Sequence, residues 1–274
     1  MSEMPLTLMA VHAHPDDEAS STGGILARYS DEGIRTVLVT CTNGQLGDGP
    51  EASKPGDDGH DEDWVVARRR RELEASCEIL GVGSLELLGY EDSGMMGWPQ
   101  NEAPGSFWTT PVSEAAARLS GLMERYRPQV VVTYDANGFY GHPDHIQAHR
   151  ITLAALDLTP VAAKLYYPAI SKSNMAEFRD VLRSAGVPEP EAEPGEEWDF
   201  GVADDLIGAT VDCSGYTAKQ YAALEAHESQ SDSTFFLQLG IDVFSKLMSR
   251  ETFIRAYDRT GAPTPEDDLF AGLR

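Results

Sequence analysis

The sequence predicts an α/β fold: a Rossmann-like, doubly wound, mostly parallel sheet with helices on both faces. Three observations carry this. Apolar, β-branched segments alternate with segments of helical period through the first two-thirds of the 274 residues. These strand segments are apolar on both faces, as strands of a covered parallel sheet are. Two clusters rich in histidine and aspartate follow directly on the first and fourth of them.

The elements are expected in this order. Residues 6–13 form a strand, 19–32 a helix stopped by Gly33, and 36–42 a second, β-branched strand. Residues 43–59 are a loop dense in Gly, Pro and Asp. Residues 64–80 form a long helix with Val66, Leu73, Cys77 and Leu80 at apolar positions and Gly81 at its end. A short strand at 84–88 and a long loop at 89–110 precede a helix at 112–126 and the fourth strand at 129–133. A helix at 144–158 and a fifth strand at 164–167 close the regular pattern. Beyond it come a helix at 174–185, a Pro/Glu-rich linker at 188–197, a strand at 207–213, a helix at 216–227 and a late edge strand at 252–257. Residues 1–170 therefore read as the catalytic core carrying both clusters. Residues 171–274 read as a less regular part packed on it, with a flexible acidic linker near 188–205, the whole making one domain.

Bulk properties narrow the function. A formal charge of −24 argues against nucleic acid or an anionic membrane as partner. Part of that charge lies in the loops at 48–63 and 189–205. No apolar run approaches the roughly 20 residues of a membrane helix, and the N-terminus lacks a signal-peptide pattern. A cytoplasmic protein without membrane insertion is expected, and oligomerisation is compatible with the sequence. Cys41, Cys77 and Cys213 are far apart and form no C-x-x-C, so they read as buried apolar residues rather than disulfides or zinc thiolates.

The chemistry lies in the two clusters, His14-Pro15-Asp16-Asp17-Glu18 and Tyr140-Gly141-His142-Pro143-Asp144-His145. In a doubly wound sheet the first and fourth strands are neighbours where strand order reverses, and ligands bind at their carboxyl ends. A metal site is expected there. Imidazole and carboxylate without thiolate suit Zn2+. His14 and Asp17, three apart at a helix start, and His145 from across the sheet are the expected ligands. Asp16 is then free to act as general base, and Glu18 to orient a ligand. Tyr140 and His142 can stabilise a developing oxyanion or supply a proton, with Asp144 holding His142 cationic. His149 and His12 read as supporting residues, and His60 and His227 receive no role. In the run Arg68-Arg69-Arg70-Arg71 one member can reach the pocket. Asp92 is a candidate hydroxyl binder, and Met95 and Trp98 are candidate pocket walls. Ser21-Thr22-Gly23-Gly24 lacks a nucleotide fingerprint, so its glycines read as packing residues.

The paired motifs resemble the zinc-dependent deacetylases of the N-acetylglucosaminyl-phosphatidylinositol de-N-acetylase family, from about Leu6 to about Ala155. Ala223-Leu224-Glu225-Ala226-His227-Glu228-Ser229-Gln230 resembles a weaker late segment of that family. Within it, Val39-Thr40-Cys41-Thr42, Asp92-Ser93-Gly94-Met95 and Val132-Thr133-Tyr134-Asp135 are similar to the mycothiol-pathway enzymes. The resemblance implies His14, Asp17 and His145 as zinc ligands and Asp16 as general base. It implies His142, oriented by Asp144, as acid and Tyr140 as carbonyl contact. It also implies Arg69 and Asp92 as substrate contacts; Met95 and Ser21 are further candidate substrate-binding residues. Ser20-Ser21-Thr22 stands where the conjugate amidases carry a lysine, as in the deacetylase.

The expected activity is therefore zinc-dependent hydrolysis of the acetamide of a GlcNAc-containing glycoside or pseudodisaccharide. The alternatives are an amidase acting on a larger amide, such as a mycothiol-type conjugate or antibiotic intermediate, and a metal-holding sugar-binding protein without turnover.

Overall fold

A computed structural model describes residues 5–186 and 201–274. The first strand, β1 (Thr7–His12), is buried along its whole length. Its side chains alternate between two cores, as the two-residue strand period requires. Leu8 and Ala10 join a cluster with Leu26, Leu73 and Phe270 on one face. Met9 and Val11 join Leu119, Met123 and Ile151 on the other. Burying one such leucine or isoleucine contributes roughly 1.5–3 kcal/mol.

Two short helices follow, α1 (Asp17–Ser21) and α2 (Gly23–Asp31). The single helix expected over 19–32 is broken at Thr22, whose backbone leaves helical geometry at φ −144° and ψ 12°. Thr22 is buried, and its Oγ1 pairs with His12 Nε2 at 2.8 Å, so a strand contact outcompetes helix continuity. Next come β2 (Arg35–Thr42), α3 (Glu62–Leu80), β3 (Ser84–Tyr90), α4 (Val112–Tyr126) and β4 (Val130–Val132). The long helix α3 begins where Asp61 accepts from Trp64 N and ends where Gly81 turns left-handed at φ 73°. A short turn α5 (Gly138–Gly141) leads into α6 (Pro143–Leu158) and β5 (Lys164–Pro168).

The remaining elements are α7 (Lys172–Ser184), β6 (Ala209–Asp212), α8 (Thr217–Ala226), α9 (Ser231–Gln238), α10 (Gly240–Leu247) and β7 (Arg250–Asp258). Among the described residues the sheet has seven strands in the order β3-β2-β1-β4-β5-β7-β6. The first five are parallel, while β7 runs antiparallel to both β5 and β6. The late strand expected at the edge thus lies inside the sheet, and β6 takes the edge. Helices α9 and α10 were not expected from the sequence. The linker expected over 188–197 lies outside the described residues. The end of the wider acidic stretch is placed: Val202 N donates to Ile170 O at 2.9 Å, just before α7.

This topology sets the site. From β1 the chain runs outward on one side to β2 and β3, and later returns to β4 on the other. The carboxyl ends of β1 and β4 therefore open on the same crevice, which no crossover covers.

Candidate active site

The turn after β1 is unusually constrained. Asp16 adopts φ 142° and ψ −22°, a conformation that L residues avoid and that costs on the order of 1–3 kcal/mol. It is pinned on two sides. Its N–H donates to Glu18 Oε2 at 3.0 Å, and its Oδ2 accepts from Arg69 Nη2 at 2.8 Å. The same Arg69 nitrogen donates to Pro15 O at 2.8 Å, and Nη1 donates to Gly44 O at 2.8 Å. A Cβ on Gly44 would stand 2.5 Å from Arg69 Nη1, so only glycine admits the guanidinium there.

Three donor groups meet beside this turn. His14 Nδ1 and His145 Nε2 are 3.3 Å apart. The Asp17 carboxylate lies 3.4 Å from His14 Nδ1 and 3.5 Å from His145 Nε2. Two hydrogen bonds fix that carboxylate: Oδ2 accepts from His14 N at 2.7 Å and from Tyr134 Oη at 2.6 Å. The Tyr134 ring also stacks on His145 with centroids 4.0 Å apart. Tyr134 thus holds two of the three expected ligands. The sequence reading assigned it no role, although its segment was part of the family resemblance.

Behind His14 sits Asp144. Its Oδ2 lies 3.3 Å from His14 Nε2 and accepts from Ser93 N at 2.9 Å, while Oδ1 accepts from Ser93 Oγ at 2.5 Å. A carboxylate on the far nitrogen of a metal-binding imidazole fixes its tautomer and leaves the near nitrogen as a lone pair. This corrects the expectation that the Asp144 carboxylate holds His142. The two residues are linked instead through the backbone, with Asp144 N–H donating to His142 Nδ1 at 3.1 Å as His142 caps α6. Asp144 is the second residue of α6, and Ser93 holds its carboxylate on the His14 side.

The electrostatics follow from this packing. Burial acts to lower the His14 pKa, but Asp92, Asp144 and Asp17 outweigh it and raise it well above 6.5. Burial acts to raise Asp17, but His145 and His14 hold it well below 3.8. Burial pushes His145 down to about 4 despite Asp17. Burial, with repulsion from His14 and His145, pushes His142 down to about 2, which favours the neutral imidazole. With Nδ1 accepting from the backbone, the His142 proton sits on Nε2. Burial pushes Asp16 up to about 6, against the pull of Arg69.

The donor chemistry fits a borderline divalent metal. Two imidazole nitrogens and a carboxylate converge, one ring is fixed from behind by a carboxylate, and among the described residues no cysteine joins the donor groups. His142 is a competing ligand, since His14, His142 and His145 offer nitrogens all within 4.8 Å of one another. A second overlapping group joins His14 and His142 to Asp92 and Asp144.

The other expected residues line one cavity of about 580 Å³. Asp92 is buried, with Oδ1 3.8 Å from His14 Nε2. Ser21, Met95 and Trp98 lie along the wall, and Arg69 also borders it although its guanidinium is committed to Asp16 and two carbonyls. Tyr140 stands at the rim, 45% exposed, with its ring 5.1 Å from that of His145. It is delivered by a turn that needs Gly138 at φ 63°, where a Cβ would meet Ile146 N at 2.8 Å. The lining continues onto α7 and α10, where apolar Phe178, Val181 and Leu247 alternate with Asn174, Glu177 and Lys246.

Three supporting residues settle elsewhere. His149 Nδ1 meets Tyr134 O at 2.9 Å, and His12 bonds Thr22. Gly24 packs where a Cβ would lie 2.7 Å from Cys213 Cβ and Glu251 Oε1, in keeping with a packing role. His227, given no role from sequence, reaches Glu18 Oε1 with its Nε2 at 2.7 Å. Its one sequence signal was the late segment around it.

Known proteins are similar to this chain in sequence and in fold. The family model described as GlcNAc-PI de-N-acetylase, PIG-L, matches residues 9–156, from β1 to near the end of α6. A Salinispora arenicola protein named 1D-myo-inositol 2-acetamido-2-deoxy-alpha-D-glucopyranoside deacetylase is 42% identical, covering 97% of this chain and 91% of the relative. Among solved structures, N,N'-diacetylchitobiose deacetylase from Pyrococcus horikoshii aligns with a TM-score of 0.57 at 19% identity, covering 91% of this chain and 83% of the other. A 4-carboxy-2-hydroxymuconate hydratase from Pseudomonas putida aligns equally well, with a TM-score of 0.59 at 18% identity over 94% and 99% of the two chains. The fold therefore carries more than one chemistry. The sequence relationship over nearly the full length, together with the matched motifs, assigns this chain to the GlcNAc-PI de-N-acetylase (PIG-L) family.

Proposed function

We propose that this protein is a zinc-dependent N-deacetylase acting on a 2-acetamido sugar in a glycoside or pseudodisaccharide. The named substrate of its relatives, 1D-myo-inositol 2-acetamido-2-deoxy-alpha-D-glucopyranoside, is the first compound to try. One observation carries the reading: the Asp16 carboxylate, held by Arg69 through one oxygen, stands beside a two-histidine, one-aspartate donor set in a single cavity. A carboxylate outside the donor set is free to take the proton of a water molecule. Free, buried cysteines and the absence of a membrane-length helix among the described residues support action in the cytoplasm.

His14, Asp17 and His145 would hold the ion. When bound, it supplies a Lewis acid that polarises the acetamide carbonyl and lowers the pKa of water. Asp16 takes the proton of the attacking water on Oδ1, because Arg69 occupies Oδ2. His142 donates from Nε2 to the developing oxyanion as a neutral imidazole, and Tyr140 adds its phenol from the rim. Asp16 then returns its proton to the departing nitrogen, so that acetate and a free amine leave. Asp92 and Ser21 bind sugar hydroxyls, and Met95 and Trp98 wall the ring.

One observation favours a second reading. The cavity lining extends from the donor set onto α7 and α10, which suits a larger amide such as a thiol conjugate. Amine release from the named glycoside and from an S-conjugate amide, each with and without chelator, separates the two readings. Binding of the sugar without acetate release would leave only a binding protein.

A further inference from the structure

Among the described residues, Glu18–His227 is a buried ion pair that touches the reaction turn and that the mechanism above does not use. Both side chains are fully buried. Glu18 divides its oxygens: Oε2 accepts from the strained Asp16 N–H at 3.0 Å, and Oε1 accepts from Ser76 Oγ on α3 at 2.5 Å and from His227 Nε2 at 2.7 Å. His227 follows α8, 209 residues along the chain. Its other ring nitrogen, Nδ1, is buried and has no hydrogen-bond partner among the described residues.

We infer that His227 is a positioning residue for the proposed reaction: through Glu18 it holds the backbone of Asp16 in the strained conformation that presents its carboxylate to the cavity. The inference rests on the deacetylase reading. Packing alone would not call for this pair, because a buried ion pair stabilises no better than apolar side chains of equal volume. Glu18, in the first turn of α1, caps the N–H of Asp16, the residue before the helix, and here that residue stands at φ 142°. Strain of that kind persists only where surrounding contacts over-determine it. Arg69 fixes the Asp16 side chain, and Glu18 fixes its backbone. His227 and Ser76 fix Glu18, so the late segment reaches the reacting carboxylate through one intermediary.

The same segment ties down the loop after β2. Gln230 Oε1 accepts from Asp48 N at 3.1 Å, and Ser231 N donates to Asp48 Oδ2 at 2.9 Å. Asp48, like Asp16, borders the cavity. A displaced His227 would therefore disturb the reacting groups from two sides, without touching substrate.

The test compares His227→Gln with His227→Asn in the metal-loaded protein. Gln places an amide N–H where Nε2 stands; Asn is too short to reach Glu18. His227→Asn should lower kcat by about ten- to a hundredfold with KM changed less than about twofold, and His227→Gln should restore most of kcat. Bound metal should be equal in both. Equal kcat in the two variants, or a loss expressed in KM alone, overturns the inference. A structural measurement decides it without turnover. In crystals of His227→Asn, Asp16 should leave positive φ and its N–H should part from Glu18; an unchanged Asp16 turn overturns the inference. Absence of acetate release by the wild type would instead strike the deacetylase reading and leave this structural comparison standing. Should His227→Asn fail to fold, Ser76→Ala, which removes the second donor to Glu18 Oε1, should show the same kcat loss at unchanged KM. Wild-type kcat in that variant overturns the inference.

Discussion

Arg69 Nη2 lies 2.8 Å from Asp16 Oδ2, and the same guanidinium donates to the carbonyls of Pro15 and Gly44. The arginine inferred from resemblance as a substrate contact is thus bound to the proposed base and to the two loops flanking it. A planar fork makes these three bonds at once, and a lysine ammonium on a flexible stem does not. Arg69→Lys should therefore lower kcat, on the order of 10²-fold for a displacement near 1 Å. Arg69→Met also removes a positive charge that holds the Asp16 pKa down, so the acid limb of the kcat/KM profile should move to higher pH. A change in KM alone, with the limb in place, would return Arg69 to a substrate-binding role.

Asp144 should matter to metal retention and not to the charge of His142. Its carboxylate faces His14 Nε2 at 3.3 Å, and Ser93 holds it there. Loss of such a partner usually weakens metal binding about 10–100-fold. Competition with a chromophoric chelator should show that loss in Asp144→Asn. Wild-type metal affinity in the variant would show that His14 needs no such support.

The ligand set can be decided by elemental analysis. Asp17, fixed by Tyr134 and the His14 backbone, competes with His142 for the third place. Asp17→Ala and His145→Ala should lose metal. His142→Ala should keep it while turnover falls about 10²–10⁴-fold, the span of one general acid or base. Metal lost from His142→Ala and kept by Asp17→Ala would reverse the assignment.

The Glu18–His227 pair also sets a pH signature for stability. Burial would raise Glu18, but His227 outweighs it and holds the carboxyl below 4.5. Its contribution is present above pH 4.5 and lost as pH falls through the depressed value. Burial would lower His227, but Glu18 outweighs it and holds the imidazole above 6.5. That contribution is present below pH 6.5 and lost as pH rises through the elevated value. The stability of wild type relative to His227→Leu, from denaturant unfolding, should therefore be greatest between about pH 4.5 and 6.5. A difference that does not vary with pH would mean the pair is not charged.

Much of the site was legible because its chemistry is local. His14, Asp16 and Asp17 sit within four residues at a strand end, and the strand-order rule places His142 and His145 opposite them. What could not be read depends on direction and on distance along the chain. Whether Asp144 turns to His14 or to His142 is set by its place on the first turn of α6 and by Ser93, 51 residues away. Tyr134 reaches Asp17 across 117 positions, and His227 reaches Glu18 across 209. No periodicity records such contacts. In the fold, β7 was read as an edge because nothing in its sequence announces the antiparallel β6 beyond it. Residues 231–247 were not read as helices, because α9 and α10 have only eight residues each, about two turns, too few for the helical period to stand out.

Acetate release puts the proposed chemistry to its most direct trial. The zinc-loaded wild type and Asp16→Ala, both shown to bind metal, are incubated with 1D-myo-inositol 2-acetamido-2-deoxy-alpha-D-glucopyranoside, and acetate and free amine are measured together. Wild type should release the two in equal amounts, and Asp16→Ala should release about 10²–10⁴-fold less in the same time. Equal release by the two proteins would contradict the role given to Asp16, and none from either would contradict deacetylation of this substrate.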